Sequence, residues 1–522
     1  MFPLAVFSWI DWTILFTYMA LVVAIGAWAG RRKTDAEGYF LAGRTMPTWA
    51  VALSIIATTL SVATFVGAPQ ESFKGDLTYL SLNLGGFLGT FIVALFFVPR
   101  LYRAGTVTIY GYIGQRFGDE ARAAMSVMFL FGRLLASGVR LFIAAIPVCL
   151  LLFSGQEQPL ATANLVLAIC LIGVIGTAYT ISGGIRAVIW TDTLQITVVF
   201  GTALLSIALL LSRIPLPVGE ILGILGTAGE DGASKLRLFN TTLDATSPYT
   251  LWTALIGNTV LIVAVYGTDH DMAQRMMTAR SPMRGALSLI VAQGLNLIVV
   301  SLFMALGLLL YIFYSRPDIM GAATPADQPT SDMAVYTQFL LRHMPVGLAG
   351  LAMAGLFAAA QGSLDSAINA MASSAVADLY WPLRRRLGWP VDIGGRTPRL
   401  AVILIGGLLI GFAIVSALAY DPQRRTLINF ALGVMSFAYT GMLGVFLAAM
   451  CTRRGNTTSI LAALLTGIVV TTLLQDGILA WWSTRLLGQP LRLAFLWWLP
   501  IGVAASFLVC VAGAPPSRRL SN

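Results

Sequence analysis

Apolar residues gather along the chain into windows of about twenty, the length at which a helix crosses a hydrocarbon core. Thirteen such windows can be drawn, at approximately 9–29, 47–69, 77–99, 121–153, 160–181, 187–212, 249–267, 285–313, 346–377, 399–419, 426–450, 458–476 and 491–513. The polar stretches between them are short, so residues 1–522 read as a single all-α integral membrane domain of about 13 transmembrane helices. The first window follows no basic residue and is longer than a signal-peptide apolar region. It is expected to be retained despite the Ala27-Trp28-Ala29 triplet. The longest polar connection, 213–248, is expected to hold a short helix at the membrane surface, since unbroken coil of that length is uncommon.

Composition narrows the class. Of 522 residues, 57% are hydrophobic and 11% charged, whereas soluble domains carry roughly a quarter charged residues, so an ordinary soluble enzyme is excluded. The net charge of +10, from 33 Lys and Arg against 23 Asp and Glu, would raise the question of nucleic acid in a soluble protein. Here the basic residues sit in short loops without a basic-aromatic surface motif, which points to membrane lipid and no nucleic acid. With the N-terminus outside, 21 basic residues fall on the inner side and 10 on the outer, while Arg133 and Arg140 lie within the fourth window. The bias predicts a multi-pass cell-membrane protein with the N-terminus outside and the C-terminus cytoplasmic. Cys149, Cys170, Cys451 and Cys510 all fall in apolar runs, which disfavours a disulfide framework, a zinc site and thiol chemistry. His270 and His343, the only histidines, fall in predicted loops with no nucleophile-base or metal-ligand spacing, so no enzyme activity is expected.

Ionisable and strongly polar side chains are costly in hydrocarbon, so those inside the windows carry the information. The second window runs through Ala57, Thr58, Thr59, Leu60, Ser61 and Thr64 to Gly67 and Pro69. That pattern suggests a helix that unwinds mid-membrane and exposes carbonyls to a cation or solute; alternatively, the hydroxyls bond carbonyls of their own helix. Asn83, beside Gly85 and Gly86, suits either a polar ligand or an interhelical hydrogen bond. Arg133 and Arg140, seven residues apart, lie on nearly one helix face. Either could hold a carboxylate in a bidentate grip, and either could snorkel to an interface. In the ninth window Ala359, Gly362, Ser363, Ser366 and Asn369 share a face with Asp365 at its margin, a stripe of oxygen donors suited to a hard monovalent cation. Asp192 in the sixth window would add a second carboxylate, or would remain wet at a helix start.

These stretches, with Gly38-Tyr39-Phe40-Leu41-Ala42-Gly43-Arg44, Gly183 to Asp192 and Tyr266 to Arg275, resemble the sodium:solute symporter family and its LeuT-like fold. The resemblance implies one extra N-terminal helix (9–29), two inverted five-helix repeats (47–212 and 249–450) and two C-terminal helices (458–513), with the second broken helix at Leu261–Gly267. It places a shared sodium site on Ala57, Leu60, Ala359, Gly362 and Ser363, with Gly362 standing where many members have Ser. By likeness to bacterial sialic-acid symporters it places a second cation at Asp192, Asp365 and Ser366, although Asp365 stands where those transporters carry a hydroxyl. The solute pocket would draw on Thr59, Ser61, Thr64 and Asn83, joined by Arg133 or Arg140. Thr59 and Ala63 replace the Asn and Glu of a bacterial galactose symporter, which disfavours a galactose-like ligand.

The expected function is therefore sodium-coupled import of a small polar organic solute, leaning to a carboxylate or acidic sugar, by alternating access. Sodium ion is the expected coupling ion, and a monomer or weak oligomer the expected state. A proton-coupled carrier using Asp192 and Asp365 stays open. A membrane sensor is less favoured, because no output domain precedes Ser521-Asn522.

Overall fold

The computed structural model describes residues 7–31, 35–153, 158, 161–229, 232–321, 325, 335–390, 396–419 and 427–515. Six basic residues counted for orientation, Arg32, Lys33, Arg424, Arg425, Arg518 and Arg519, lie outside them. Among the described residues ten helices are long and apolar enough to cross a membrane, one further pair forms a bent span, and two shorter apolar helices cover Thr253–Thr268 and Ala438–Cys451. Each of the thirteen apolar windows overlaps one of these segments.

The leading helix α1 (Trp9–Ala29) starts in a capping box between Ser8 and Asp11 and buries Asp11, Leu15, Tyr18, Val22, Gly26 and Ala29, a stripe of helical period. The second window is broken into α2 (Thr48–Thr59) and α3 (Val62–Lys74), whose axes diverge by 64°. Leu60 (ψ 103°) and Ser61 (φ −102°, ψ 171°) are extended between them. The break thus precedes Gly67 and Pro69, which lie inside α3. The hydroxyls of Thr58 and Thr59 also bond the carbonyls of Ser54, Ile55 and Ile56 within their own helix, so both readings of this segment hold together.

Helix α4 (Leu82–Ile92) carries Asn83, and α5 (Asp119–Leu152) carries both arginines. The fifth and sixth windows form one run, α6 (Thr162–Arg213), bent at Gly184 (φ 55°, ψ −149°). A Cβ at Gly184 would lie 2.4 Å from the Tyr39 carbonyl oxygen, so glycine is required by conformation and by space. The Tyr39 hydroxyl donates to the carbonyls of Thr180 (2.9 Å) and Ile181 (3.2 Å), which the bend deprives of helical partners. The expected short helix in 213–248 is α7 (Val218–Leu225). From the same connection Lys235, buried, points its ammonium at the carbonyls of Phe73 (2.9 Å), Lys74 (3.1 Å) and Gly75 (2.8 Å), capping α3.

The second broken span consists of α8 (Thr259–Thr268) and α9 (His270–Met277), with Asp269 (φ −86°, ψ 120°) between them. This break falls just past Leu261–Gly267, and it corrects the sequence reading: His270 is the first residue of a buried helix, not a loop residue. Arg275, counted among inner-loop charges, is likewise fully buried. After α10 (Pro282–Ser315) comes α11 (Leu348–Ser374), whose most apolar stretch is 94% buried, against 28% for α1. It is the central helix and packs on α1, α2, α5, α6 and α9. Its N-terminus is held by α1: Asp11 Oδ1 accepts the amides of Gly347 (2.7 Å) and Gly350 (2.8 Å). Helices α12 (Arg396–Ala419), α13 (Leu427–Cys451), α14 (Thr457–Leu474) and α15 (Phe495–Ala512) follow, the last three packed together.

Candidate ion and solute site

A buried charge network joins six helices, α2, α5, α6, α9, α11 and α13, at the level of the two breaks. On α5, Arg133 Nη2 meets Asp271 Oδ2 at 2.5 Å and Asp269 Oδ2 at 3.2 Å, and the Tyr439 hydroxyl of α13 donates to Asp269 at 2.5 Å. Arg275 Nη1 holds the other Asp271 oxygen at 2.5 Å, its Nη2 reaches Asp192 at 3.3 Å, and its Nε donates to Ser54 at 2.8 Å. Ser54 in turn donates to Asp192. Asp365 accepts from the Tyr179 hydroxyl (2.6 Å) and from its neighbour's amide, Ser366 N (2.6 Å). Asp192, Asp269 and Asp271 thus pair with Arg133 and Arg275, and Asp365 adds a fourth buried carboxylate held by hydrogen bonds, four carboxylates beside two guanidinium groups. All six side chains are buried. Buried charge of one sign needs a counter-charge, and the surplus here suits bound monovalent cations.

The residues expected to hold sodium divide into two groups. The end of α2 abuts α11 at Gly362, where a Cβ would sit 3.0 Å from the Ala57 carbonyl oxygen. The last α2 carbonyls, Ala57 and Leu60 included, fall beyond the reach of the helix's own amides at the break. Ala359 and Ser363 are on the same buried helix, and Ser363 donates to Ala360 (3.2 Å). In the second group Asp192 is fully buried rather than wet, and Ser366 donates to the Gly362 carbonyl (2.9 Å) and lies 3.4 Å from Asp271. Asp192 and Asp365 stand close enough to feel each other's charge.

A cavity of about 190 Å³ opens at the break of α2. Its polar wall is Thr58, Thr59, Arg133, Arg140 and Tyr439, and its apolar wall is Leu261, Val265 and Met272 with Phe495 and Leu499 of α15. Of the expected solute contacts, Thr59 and both arginines border it, whereas Ser61, Thr64 and Asn83 do not. The Asn83 amide instead bonds the Leu80 carbonyl (3.2 Å) and Gln293 (3.2 Å), the interhelical role considered for it. Ser61 opens α3, its carbonyl accepting from Thr64 and Phe65. Arg133 does not snorkel; its ion pairs lie inside the bundle.

Sequence reading missed Asp269, Asp271, Arg275 and Tyr439. A signal was present in Asp269-His270-Asp271 followed by Arg275, an acid–base pair at i, i+4 after an apolar run. It was masked by assigning the segment to a loop.

Residues 39–467 match the model of the family described as "Sodium:solute symporter family". The chain is 28% identical over 465 residues to the sodium/iodide cotransporter of Homo sapiens, covering 87% of this chain and 68% of that protein. It is 26% identical over 469 residues to a sodium/sialic acid symporter of Proteus mirabilis, covering 89% of each. Among solved structures, a Na+-coupled sialic acid symporter in a substrate-bound, outward-open state aligns with a TM-score of 0.80 at 25% identity, over 98% of this chain and 100% of that one.

Proposed function

The chain belongs to the sodium:solute symporter family, has a LeuT-like helical membrane fold, and is a sodium-coupled solute importer rather than an enzyme; from that premise we propose that its solute is a small carboxylate gripped by Arg140. The observation that carries this reading is the pair of guanidinium groups on one wall of a cavity of about 190 Å³. Arg133 is committed to Asp269 and Asp271, and Arg140, one heptad further on along α5, borders the cavity where its guanidinium can meet an anion. Thr58 and Thr59 supply hydroxyl contacts. The cavity is smaller than the roughly 300–1,000 Å³ of drug-sized sites, which favours a compact anion over a bulky acidic sugar.

In this reading sodium binds between α2 and α11, on the Ala57, Leu60 and Ala359 carbonyls with Gly362 and Ser363, and a second cation binds at Asp192, Asp365 and Ser366. Residues 47–212 and 249–450 act as two inverted repeats whose broken helices meet at the cavity, and rocking of one against the other gives alternating access. The N-terminus lies outside and the C-terminus inside.

Uptake into proteoliposomes under an imposed sodium gradient tests the proposal, with small carboxylates, acidic sugars, neutral sugars and amino acids compared. Accumulation of carboxylates, lost in Arg140→Ala, is expected. Accumulation of neutral solutes alone would overturn it.

A further inference from the structure

Beyond α11 the same helix runs on through Ala375–Tyr380 into a short helix, Trp381–Arg386, which ends in three consecutive arginines. The 39 residues of Leu348–Arg386 far exceed the roughly 20 that a span requires, so the arginines stand past the hydrocarbon, among lipid headgroups. The chain returns to the membrane at α12, which opens with the exposed Arg396 and Arg399. Arg384, Arg385, Arg386, Arg396 and Arg399 thus flank one turn on one face of the bilayer.

The geometry of the turn fixes one of these charges. None of the residues of Trp381–Arg386 is buried. The Trp389 amide donates to the Arg384 carbonyl (2.9 Å) and the Gly388 amide to that of Arg385 (3.2 Å), a Schellman ending in which Gly388 takes φ 68°. It folds Trp389 back over the helix, so the Arg384 guanidinium lies 5.5 Å from the ring centre of Trp389 and 5.5 Å from that of Tyr380. Arg384 Nη1 also donates to the Tyr380 hydroxyl (2.7 Å). Leu383, Leu387 and Trp389 are each more than half exposed. An apolar edge beside a basic cluster is the pattern of a segment seated in a membrane interface.

Two N–H donors of this segment lack acceptors. Trp381 Nε1 and Arg384 Nε are shielded from solvent and make no hydrogen bond, and at a spacing of three residues they share one side of the helix. Shielded donors are nearly always paired, so the two together mark the place of an acceptor from outside the protein. Among the described residues no carboxylate pairs with Arg384, Arg385 or Arg386. Asp378, earlier in the same helix, is taken by Arg122 (2.6 Å). A phosphate group offers the several acceptor oxygens and the negative charge that such a cluster calls for.

We infer that the turn after α11 binds an anionic phospholipid. Its phosphodiester accepts from Trp381 Nε1 and Arg384 Nε, Arg385 and Arg386 meet its charge, and its acyl chains lie against Leu383, Leu387 and Trp389. Every phospholipid has the phosphodiester; the excess of arginine selects a headgroup that adds no positive charge of its own. Because the short helix is continuous with α11, the lipid anchors one end of the central helix.

The test titrates the purified full chain in detergent with phosphatidylglycerol or phosphatidylcholine, counting bound lipid by native mass spectrometry and following the melting temperature. Phosphatidylglycerol is expected to bind about 25-fold more tightly, from two arginines at about fivefold each. Arg385→Gln combined with Arg386→Gln should abolish that preference and still melt as the wild type does in phosphatidylcholine, since both side chains are exposed. Trp381→Phe keeps an aromatic ring without the N–H and should weaken phosphatidylglycerol about tenfold, as loss of a hydrogen bond to a charged group implies. Neutralising Arg453 and Arg454, an exposed pair after α13, should leave the preference in place. Equal affinity for the two lipids, or an equal loss in the Arg453 and Arg454 control, would overturn the inference. So would displacement of the lipid by inorganic phosphate but not by chloride of equal ionic strength, which would mark a site for free phosphate.

Discussion

Arg133 and Arg140 are the same side chain on the same helix, yet their surroundings give them different work. Arg133 is a counter-charge of Asp269 and Asp271, and Arg133→Ala would leave the Asp269 carboxylate buried with the Tyr439 hydroxyl but without its cation. A loss of about 3–5 kcal/mol is expected, seen as poor yield of folded protein and a lowered melting temperature. Arg140→Ala should raise the half-saturating solute concentration roughly 10- to 100-fold, as loss of a hydrogen-bonded charge contact of about 1.5–3 kcal/mol implies. Arg140→Lys should fall between, since an ammonium cannot make the bidentate grip. Asp192→Asn, by contrast, is expected to shift sodium activation more than solute affinity; unchanged sodium activation would remove Asp192 from the cation site. Both arginines were legible in the sequence as charges inside an apolar window. That Arg133 is ion-paired inside the bundle was not, because its partner Asp271 lies 138 residues away in a segment that looked like a loop. Thr59 was legible by its place beside the helix break, whereas for Asn83 the sequence left a ligand contact and an interhelical bond open, since an amide that packs two helices looks the same in sequence as one that meets a ligand.

At the level of elements, interrupted helices are what make a site possible in lipid, because each break frees backbone groups that must find partners. Two devices meet this need. At the bend of α2–α3 the end of the helix borders the cavity, while at Thr268 and at Gly184 the freed carbonyls are satisfied by the Tyr110 and Tyr39 hydroxyls. Tyr39→Phe should therefore cost about 1–3 kcal/mol, measured by thermal melting, without changing sodium or solute affinity. Gly184→Ala should be worse, since its Cβ would meet the backbone of residue 39 and its φ is left-handed. An unaltered melting temperature in Gly184→Ala would mean that the bend is not fixed there. Hydropathy read the two arms of α6 as separate spans, and they are two, Thr162–Ile181 and Gly183–Arg213, though the bend at Gly184 joins them where a loop could equally have stood. It anticipated the break in the second window, yet for the wrong residues. Gly67 and Pro69 lie inside α3, where the Ser72 hydroxyl, 3.3 Å from the Pro69 carbonyl and 2.7 Å from that of Met304, helps satisfy the polar backbone.

For the whole molecule the scarce charge is the informative quantity. The apolar windows set the membrane class and the approximate helix layout, since lipid imposes that pattern on any spanning chain. The buried carboxylate surplus could not be read without the fold that gathers it. It has a measurable consequence for energy coupling. One sodium carried with one monocarboxylate moves no net charge, so membrane potential would leave accumulation unaffected. With a second cation each cycle moves one net charge inward, and 100 mV contributes about 2.3 kcal/mol, or roughly fifty-fold accumulation. Uptake at a fixed sodium gradient should rise steeply with an inside-negative diffusion potential, and a flat response would remove the second cation site. The clasp between Asp11 and the start of α11 bears on how the chain is made. Asp11 has Ser8 as its local partner, while the amides it finally holds follow 336 and 339 residues later. Until they arrive, one oxygen of its carboxylate waits at the membrane for a helix not yet synthesised. The clasp thus joins α1 to the start of the central helix only once most of the chain is made, and Asp11→Ala should lower the melting temperature of the finished protein.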